Sequence, residues 1–90
     1  MRSFDIVAER KRMNFRRIDA RSFEETFEIE LRNRKEVADR VHVWERHYGD
    51  WRVTNTSMEF KKLDATTMEY IVDLKAGETK KITYTVVTKW

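Results

Sequence analysis

The sequence predicts an all-β fold, and three observations lead to this prediction. Apolar and polar residues alternate with a period of two in several stretches, which is typical of half-buried strands. The same stretches are rich in valine, isoleucine, threonine, tyrosine and phenylalanine, the residues that suit a pleated sheet. No segment carries an apolar stripe with the 3.6-residue period of a helix over three turns.

The first two strands are predicted to form a hairpin that closes over residues 18–22. In the second strand, every other residue from Phe23 to Leu31 shares one face. A turn centred on Ala20 pairs residues whose numbers add to about 40. This register places three arginines opposite three glutamates. Such cross-strand ion pairs fix the register of the hairpin more than they add to its stability. The predicted partners are Arg16 with Glu24, Arg12 with Glu28, Arg10 with Glu30, Met13 with Phe27, and Phe15 with Glu25.

The later segments continue the alternation. Val41 and Val43 are predicted to face inward on a third strand, and Trp51 begins a further strand as a core residue. Alternating stretches over residues 68–74 and 81–90 are separated by a turn at residues 75–78. Glycines 49 and 77 are expected to supply a positive φ in turns. About seven extended segments result, which predicts an immunoglobulin- or fibronectin-like antiparallel β-sandwich.

The composition favours one small domain over residues 1–90. Hydrophobic residues make up 40% of the 90 residues, enough for a small core. The absence of cysteine and proline and the presence of only two glycines exclude a disulfide scaffold, a collagen-like chain and thiol chemistry. No apolar run approaches the roughly 20 residues of a membrane helix, so we expect no membrane insertion by this segment.

The sequence argues against catalysis. The only histidines, His42 and His47, are five residues apart and project to opposite sides of an extended strand. We expect each to be an ordinary surface histidine. The glutamates of the second strand could suggest a cation site, but the arginines predicted to face them favour ion pairs. Because no glycine-rich phosphate loop is present either, we expect no enzyme activity, no cofactor and no metal site.

A basic stretch in the first strand leaves a binding function open. It combines bases with the aromatic Phe15, a pattern found in nucleic-acid or acidic-polysaccharide footprints. Proteins that bind single strands need several stacking aromatics on one exposed face, and Phe15 alone does not provide them. A paired, solvated strand is therefore favoured, nucleic acid is not the expected partner, and polyanion binding stays the alternative. The candidate residues for that alternative are Arg10, Lys11, Arg12, Arg16 and Arg17.

Trp44 is the strongest candidate for contact with a protein partner. It shares the strand parity of Arg40 and His42, which predicts that all three point outward. An outward tryptophan either covers a neighbouring loop or sheet edge, or it belongs to a contact surface. Arg40, His42 and Trp44 are therefore the predicted partner-binding residues.

The order of several short motifs resembles a known family. Residues 31–33 end a strand, residues 41–45 read Val-His-Val-Trp-Glu, and Gly49-Asp50-Trp51 follows. Ala76-Gly77-Glu78 then precedes a closing strand that ends at Trp90. Over roughly residues 5–90 this order resembles the C-terminal part of the mucoidy-inhibitor-A-like bacterial family, a domain of unknown function. The chain has Tyr48 and residues 73–75 where that family usually has prolines.

The resemblance implies a β-sandwich module from the C-terminus of a longer bacterial protein. In such relatives an N-terminal domain and a helical, coiled-coil segment come first, and no catalytic or binding residues carry over. Cell-envelope or secreted placement is suggested by the resemblance only. Together the residues and the resemblance predict a non-catalytic structural or protein-interaction module, whose partners are other domains of the parent protein or a separate protein.

Overall fold

The computed structural model describes residues 5–90 and confirms the all-β prediction. Residues 1–4 of the predicted domain lie outside the described residues. Seven strands form two antiparallel sheets. They are β1 (Ile6–Asp19), β2 (Ser22–Asn33), β3 (Asp39–Arg46), β4 (Asp50–Thr56), β5 (Lys61–Lys62), β6 (Thr67–Leu74) and β7 (Thr79–Lys89). Over residues 5–90, no helix has the length and apolar character needed to cross a membrane.

The strand order separates this fold from an immunoglobulin domain. The first sheet has the order β1-β2-β7-β4, and the second has the order β3-β6-β5. An immunoglobulin constant domain would place its fifth strand between the second and fourth, and its seventh strand beside the sixth. Here the fifth and seventh strands are exchanged. The physical reason is length, because the central position needs the 11-residue β7, whereas β5 has two residues and pairs at an edge.

The core lies between the two sheets and is built from the predicted alternating residues. Trp51 is buried, as predicted, and the phenol rings of Tyr70 and Tyr84 lie 5.9 Å apart at the centre of the sandwich. Val41 and Val43 pack against this core from β3. The buried apolar residues are Phe27, Ile29, Leu31, Trp51, Met68, Tyr70, Val72, Leu74, Ile82, Tyr84 and Val86.

Positive φ occurs at two turn glycines, as expected. Gly49 has a φ of 80° and Gly77 has a φ of 71°. At Gly49 a Cβ atom would lie 3.1 Å from the carbonyl oxygen of Lys89, whereas nothing lies within 4 Å at Gly77. Gly49 therefore fills two requirements, a left-handed backbone and a close approach to β7.

The hairpin of β1 and β2 has the predicted register only near its turn. Arg16 lies opposite Glu24, and Phe15 lies opposite Glu25. The Nε of Arg16 is 3.2 Å from a carboxylate oxygen of Glu24. The predicted register holds for residues 14–17, and the pairing shifts by one residue between Arg17 and Asp19, next to the turn.

A β-bulge at Met13 changes the register for the rest of the hairpin. The pairing shifts by one residue between Arg12 and Asn14, so that Arg12 faces Phe27. Farther along, Arg10 faces Ile29. A one-residue shift moves side chains to the opposite face of a strand, so Arg10 and Arg12 lie on the inner face of the first sheet. Three predicted pairs are therefore wrong: Arg12 with Glu28, Arg10 with Glu30, and Met13 with Phe27.

The turn end of the hairpin extends beyond the cover of the second sheet. Phe27 is buried on the inner face of β2, but Phe23 on the same face is only half-buried. Phe15, which lies on the same face of β1, is about half exposed. The inner face of the first sheet is thus closed by the second sheet at one end and open near the hairpin turn.

Candidate functional site

Arg40, His42 and Trp44 lie together on the outer face of the second sheet, on β3. The side chain of Trp44 is 60% exposed. Arg40 and His42 are likewise exposed. Ile71 of β6 lies opposite His42 and adds an exposed apolar side chain to the same face. The structure therefore brings the predicted partner-binding residues to one surface, which we call the tryptophan face.

A buried carboxylate holds the rings of the tryptophan face in place. The Nε1–H of Trp44 donates a 2.8 Å hydrogen bond to Oε2 of Glu69, and Nδ1 of His42 lies 3.1 Å from the same oxygen. The hydrogen bonds from Trp44 and His42 lower the pKa of Glu69. Glu69 is therefore ionised at neutral pH and fixes both rings from β6.

An ion pair lies at one margin of the tryptophan face, near the start of β3. The Nε of Arg40 is 2.7 Å from Oδ1 of Asp73, its cross-strand partner. The ion pair and hydrogen bond with Arg40 lower the pKa of Asp73. At the other border, Lys61 of β5 lies opposite Glu69. The face thus has an apolar and aromatic centre with a charged margin.

The basic stretch of β1 does not form one continuous cationic patch. Strand alternation and the bulge at Met13 place Arg10, Arg12 and Arg17 on the inner face of the first sheet and Lys11 and Arg16 on its outer face. The ion pairs of these residues have partly different partners from those predicted. They are Arg10 with Glu45, Arg12 with Glu25 and Arg16 with Glu24, at 2.8, 3.2 and 3.2 Å.

His47 is buried, so the prediction of a surface histidine is wrong at this position. Its side chain is 6% exposed, and its ring packs against Phe27, Trp51 and Tyr84. The backbone N–H of His47 donates to the carbonyl of Thr66, which anchors the residue just after β3. His42 is exposed, as predicted.

A polar network links His47 to both sheets. Glu45, 7% exposed, accepts hydrogen bonds from the Nε of Arg10 at 2.8 and 3.1 Å and from the hydroxyl of Tyr84. The hydroxyl oxygen of Tyr84 lies 2.9 Å from Nε2 of His47. Because Tyr84 gives its one hydrogen to the carboxylate, it accepts from the Nε2–H of His47. The arginine also stacks on Phe27, 4.0 Å from the ring centroid. We call Arg10, Glu45, His47 and Tyr84 the inter-sheet network.

The inter-sheet network connects the two sheets through buried hydrogen bonds. Burial raises the pKa of Tyr84 well above its usual range, and Glu45 raises it further. Burial lowers the pKa of His47. Both side chains are buried, and their hydrogen bonds join β7 of one sheet to the β3 region of the other, while the hydrogen bond from Arg10 to Glu45 joins β1 to β3. Within residues 5–90, no group of three side chains is arranged to hold a metal ion.

Strand parity could have located this network. Glu45 and His47 are in phase with Val41 and Val43, so the alternation of β3 continues inward through both. The alternation places His47 on the side opposite His42, but its position at a loop edge predicts a surface residue. Burial of the Glu45 carboxylate requires partners from distant parts of the chain, so it does not follow from the local alternation alone.

We expect the network to make stability depend on pH near neutrality. The ordinary pKa of histidine is 6.5, and burial lowers it for His47 in the folded state. Below about pH 6.5 the unfolded chain binds a proton that the folded domain does not, so the free energy of unfolding falls as the pH is lowered. The slope approaches about 1.4 kcal/mol per pH unit at most.

Urea unfolding at about pH 7 and about pH 5 measures this dependence. His47→Gln keeps a side-chain N–H for Tyr84 and is expected to flatten the slope. His42→Gln removes a histidine from the exposed outer face and serves as the matched control, with the slope retained. A wild-type stability that does not change between the two pH values contradicts the prediction.

Comparisons with known proteins add no functional information. No family model, curated protein or solved structure matches the chain. The resemblance to the mucoidy-inhibitor-A-like family therefore stays a prediction.

Proposed function

We propose that this domain is a non-catalytic protein-interaction module and that the tryptophan face is its contact surface. The observation that carries the proposal is the state of Trp44, which is 60% exposed and yet fixed by its hydrogen bond to Glu69. A large aromatic side chain held in one orientation loses little conformational entropy on binding. Tryptophan is also among the residues most enriched at the energetic centre of interfaces.

The surroundings of Trp44 support this assignment. Ile71 adds apolar surface at the centre, and the Arg40–Asp73 ion pair lies at the margin. An apolar centre with a polar rim is the usual arrangement of a protein–protein interface. The partner that fits is a peptide or protein surface with an apolar anchor, able to cover the indole and Ile71 together.

The proposal also covers the protein to which the domain belongs, as the sequence resemblance implies it. Under this proposal the domain is a sandwich module of a larger bacterial protein of the mucoidy-inhibitor-A-like family, with envelope or secreted placement. Seven strands in two antiparallel sheets support an immunoglobulin-like layer architecture. The exchanged positions of β5 and β7 limit that similarity to the layers and exclude the strand order.

A peptide library tests the contact surface without a known partner. Random peptides displayed on phage are selected against the domain, and the selected peptides are titrated into isotope-labelled protein with detection of backbone amides. We expect shifts centred on Trp44, His42 and Ile71. We also expect Trp44→Ala to weaken binding at least about tenfold, the loss typical of an interface hot spot.

Trp90→Ala provides the matched control for this experiment. Trp90 is 56% exposed and lies after β7, remote from β3 in the strand order. This variant is expected to bind the selected peptides as the wild type does. Peptides that bind Trp44→Ala with unchanged affinity, or that shift amides outside the tryptophan face, would contradict the proposed contact surface.

A further inference from the structure

Three aromatic rings form a short column on the open inner face of the hairpin. The rings of Phe15 and Phe23 are stacked with centroids 5.4 Å apart, and the rings of Phe23 and Trp90 are tilted with centroids 5.1 Å apart. The three residues come from β1, from β2 and from the position after β7. The backbone N–H of Trp90 donates a 2.9 Å hydrogen bond to the carbonyl of Arg21, which fixes the backbone at this position.

The rings of the column contact one another, but the rest of residues 5–90 does not fully cover its two ends. Phe15 and Trp90 at its two ends are 48% and 56% exposed, so each presents aromatic surface to solvent. The basic stretch over residues 10–17 contains Phe15 as its only aromatic residue and so lacks, by itself, the several stacking aromatics that a single-strand binder needs. Strand pairing supplies them, because it brings Phe23 and Trp90 beside Phe15 on one exposed face.

Arginines border the same face. The guanidinium of Arg12 lies 5.0 Å from the ring centroid of Phe15, and Arg17 is the cross-strand partner of Phe23. Arg46 lies across an adjoining cleft. Arg12 is paired with Glu25, whereas neither Arg17 nor Arg46 forms an ion pair within residues 5–90. The face therefore has a surplus of positive charge next to its rings.

The adjoining cleft adds a further ring and enough space for a nucleotide-sized group. Its volume is about 500 Å³, within the usual range of small-molecule pockets of roughly 300–1,000 Å³. Phe23 and Arg12 line one side, and Arg46 and Tyr48 line the other. The side chain of Tyr48 is 69% exposed. The cleft thus adds the ring of Tyr48 and the guanidinium of Arg46 to the surface formed by the aromatic column.

We propose that this aromatic–arginine face binds single-stranded nucleic acid. Unpaired bases stack on the open surfaces of Phe15, Trp90 and Tyr48. The phosphates between them lie against Arg12, Arg17 and Arg46. Stacking is available to any base with a free planar face, which duplexes do not offer, so the binding is selective for single strands and tolerant of sequence.

Fluorescence anisotropy with a labelled oligothymidylate of about twelve nucleotides tests the proposal. Three phosphate contacts predict that affinity falls about twentyfold between about 50 and about 200 mM salt. Trp90→Ala is expected to weaken binding at least about fivefold, and Arg46→Ala is expected to reduce the salt dependence. Trp44→Ala is the matched control, since both tryptophans are similarly exposed, and it is expected to bind as the wild type does.

Other occupants of the face give distinguishable results. Absence of binding at low salt overturns the proposal, as does equal affinity for heparin or for a duplex of the same length. Loss of binding in Trp44→Ala also overturns it. Amide spectra of Trp90→Ala establish that the variant is folded. Tyr48→Ala, which changes a highly exposed loop residue, provides a second variant with the same expected loss.

The two proposals can fail separately. Oligonucleotide binding is read out on the hairpin end of the first sheet, whereas peptide binding is read out on the outer face of the second. Failure of the oligonucleotide experiment leaves the tryptophan face untouched, and the reciprocal use of Trp44→Ala and Trp90→Ala separates the two surfaces.

Discussion

Replacing Glu45 with alanine is expected to lower the free energy of unfolding by about 3 kcal/mol. The carboxylate is 7% exposed and accepts hydrogen bonds from Arg10 and Tyr84. Without it, the hydroxyl of Tyr84 can donate to Nε2 of His47 only if the buried ring changes its tautomer, and the loss of the hydrogen bonds to the carboxylate costs about 1–3 kcal/mol. The cavity left by the side chain adds to this cost. The guanidinium of Arg10 contributes less, because it is partly exposed and regains water.

Urea and thermal unfolding measure the loss. For a domain of this size, each kcal/mol corresponds to roughly 4–8 °C in Tm, so Glu45→Ala is expected to unfold roughly 10–20 °C below the wild type. Glu24→Ala is the matched control, because it removes a glutamate whose ion pair with Arg16 lies at the surface. It is expected to change the midpoint little. Equal losses in the two variants would show that Glu45 is not the centre of a stabilising network.

Replacing Tyr84 with phenylalanine is expected to cost about 2–3 kcal/mol. The substitution keeps the ring in the core and removes only the hydroxyl, which donates to Glu45 and accepts from His47. The carboxylate loses a donor and the Nε2–H of His47 loses its acceptor. Both groups stay buried, so two polar atoms lose a partner through the removal of one oxygen.

Tyr70→Phe is the matched control for Tyr84→Phe. Tyr70 is equally buried, and its hydroxyl has one partner, Oγ1 of Thr56, at 2.8 Å. Thr56 retains a hydrogen bond to the carbonyl of Met58, so the expected loss is only about 1 kcal/mol. In the Glu45→Ala background, Tyr84→Phe is expected to cost clearly less than in the wild type, because the two residues belong to one network. Additive losses in unfolding experiments would contradict this coupling.

Alternation alone was sufficient to predict the all-β class and the inner faces of β2, β6 and β7. Phe27, Ile29 and Leu31 of β2 are buried as predicted, and Trp51 lies in the core. The same reasoning correctly placed Trp44 on an outer face. These features depend only on the two-residue period of a strand, which is written locally in the sequence.

The bulge and the inter-sheet network could not be predicted in the same way. No glycine marks the position of Met13, so a continuous ladder was the simplest register. Glu45 was in phase with the core, but its burial depends on Arg10 and Tyr84, which are 35 and 39 residues away. Only the assembled sandwich brings these groups together. The column of Phe15, Phe23 and Trp90 was missed for the same reason.

The position of β7 has a consequence for how the chain folds during synthesis. β7 lies between β2 and β4, so a strand in the middle of the first sheet is synthesised after the other six strands described within residues 5–90. Pairing of β2 with β7 also closes a long loop, which runs at least from Arg32 to Thr79, and contacts of this type form slowly. Until β7 emerges, the edge of β2 that pairs with it keeps its backbone groups unpaired. We therefore expect the unfinished domain to be prone to edge-to-edge association at β2 before β7 is synthesised.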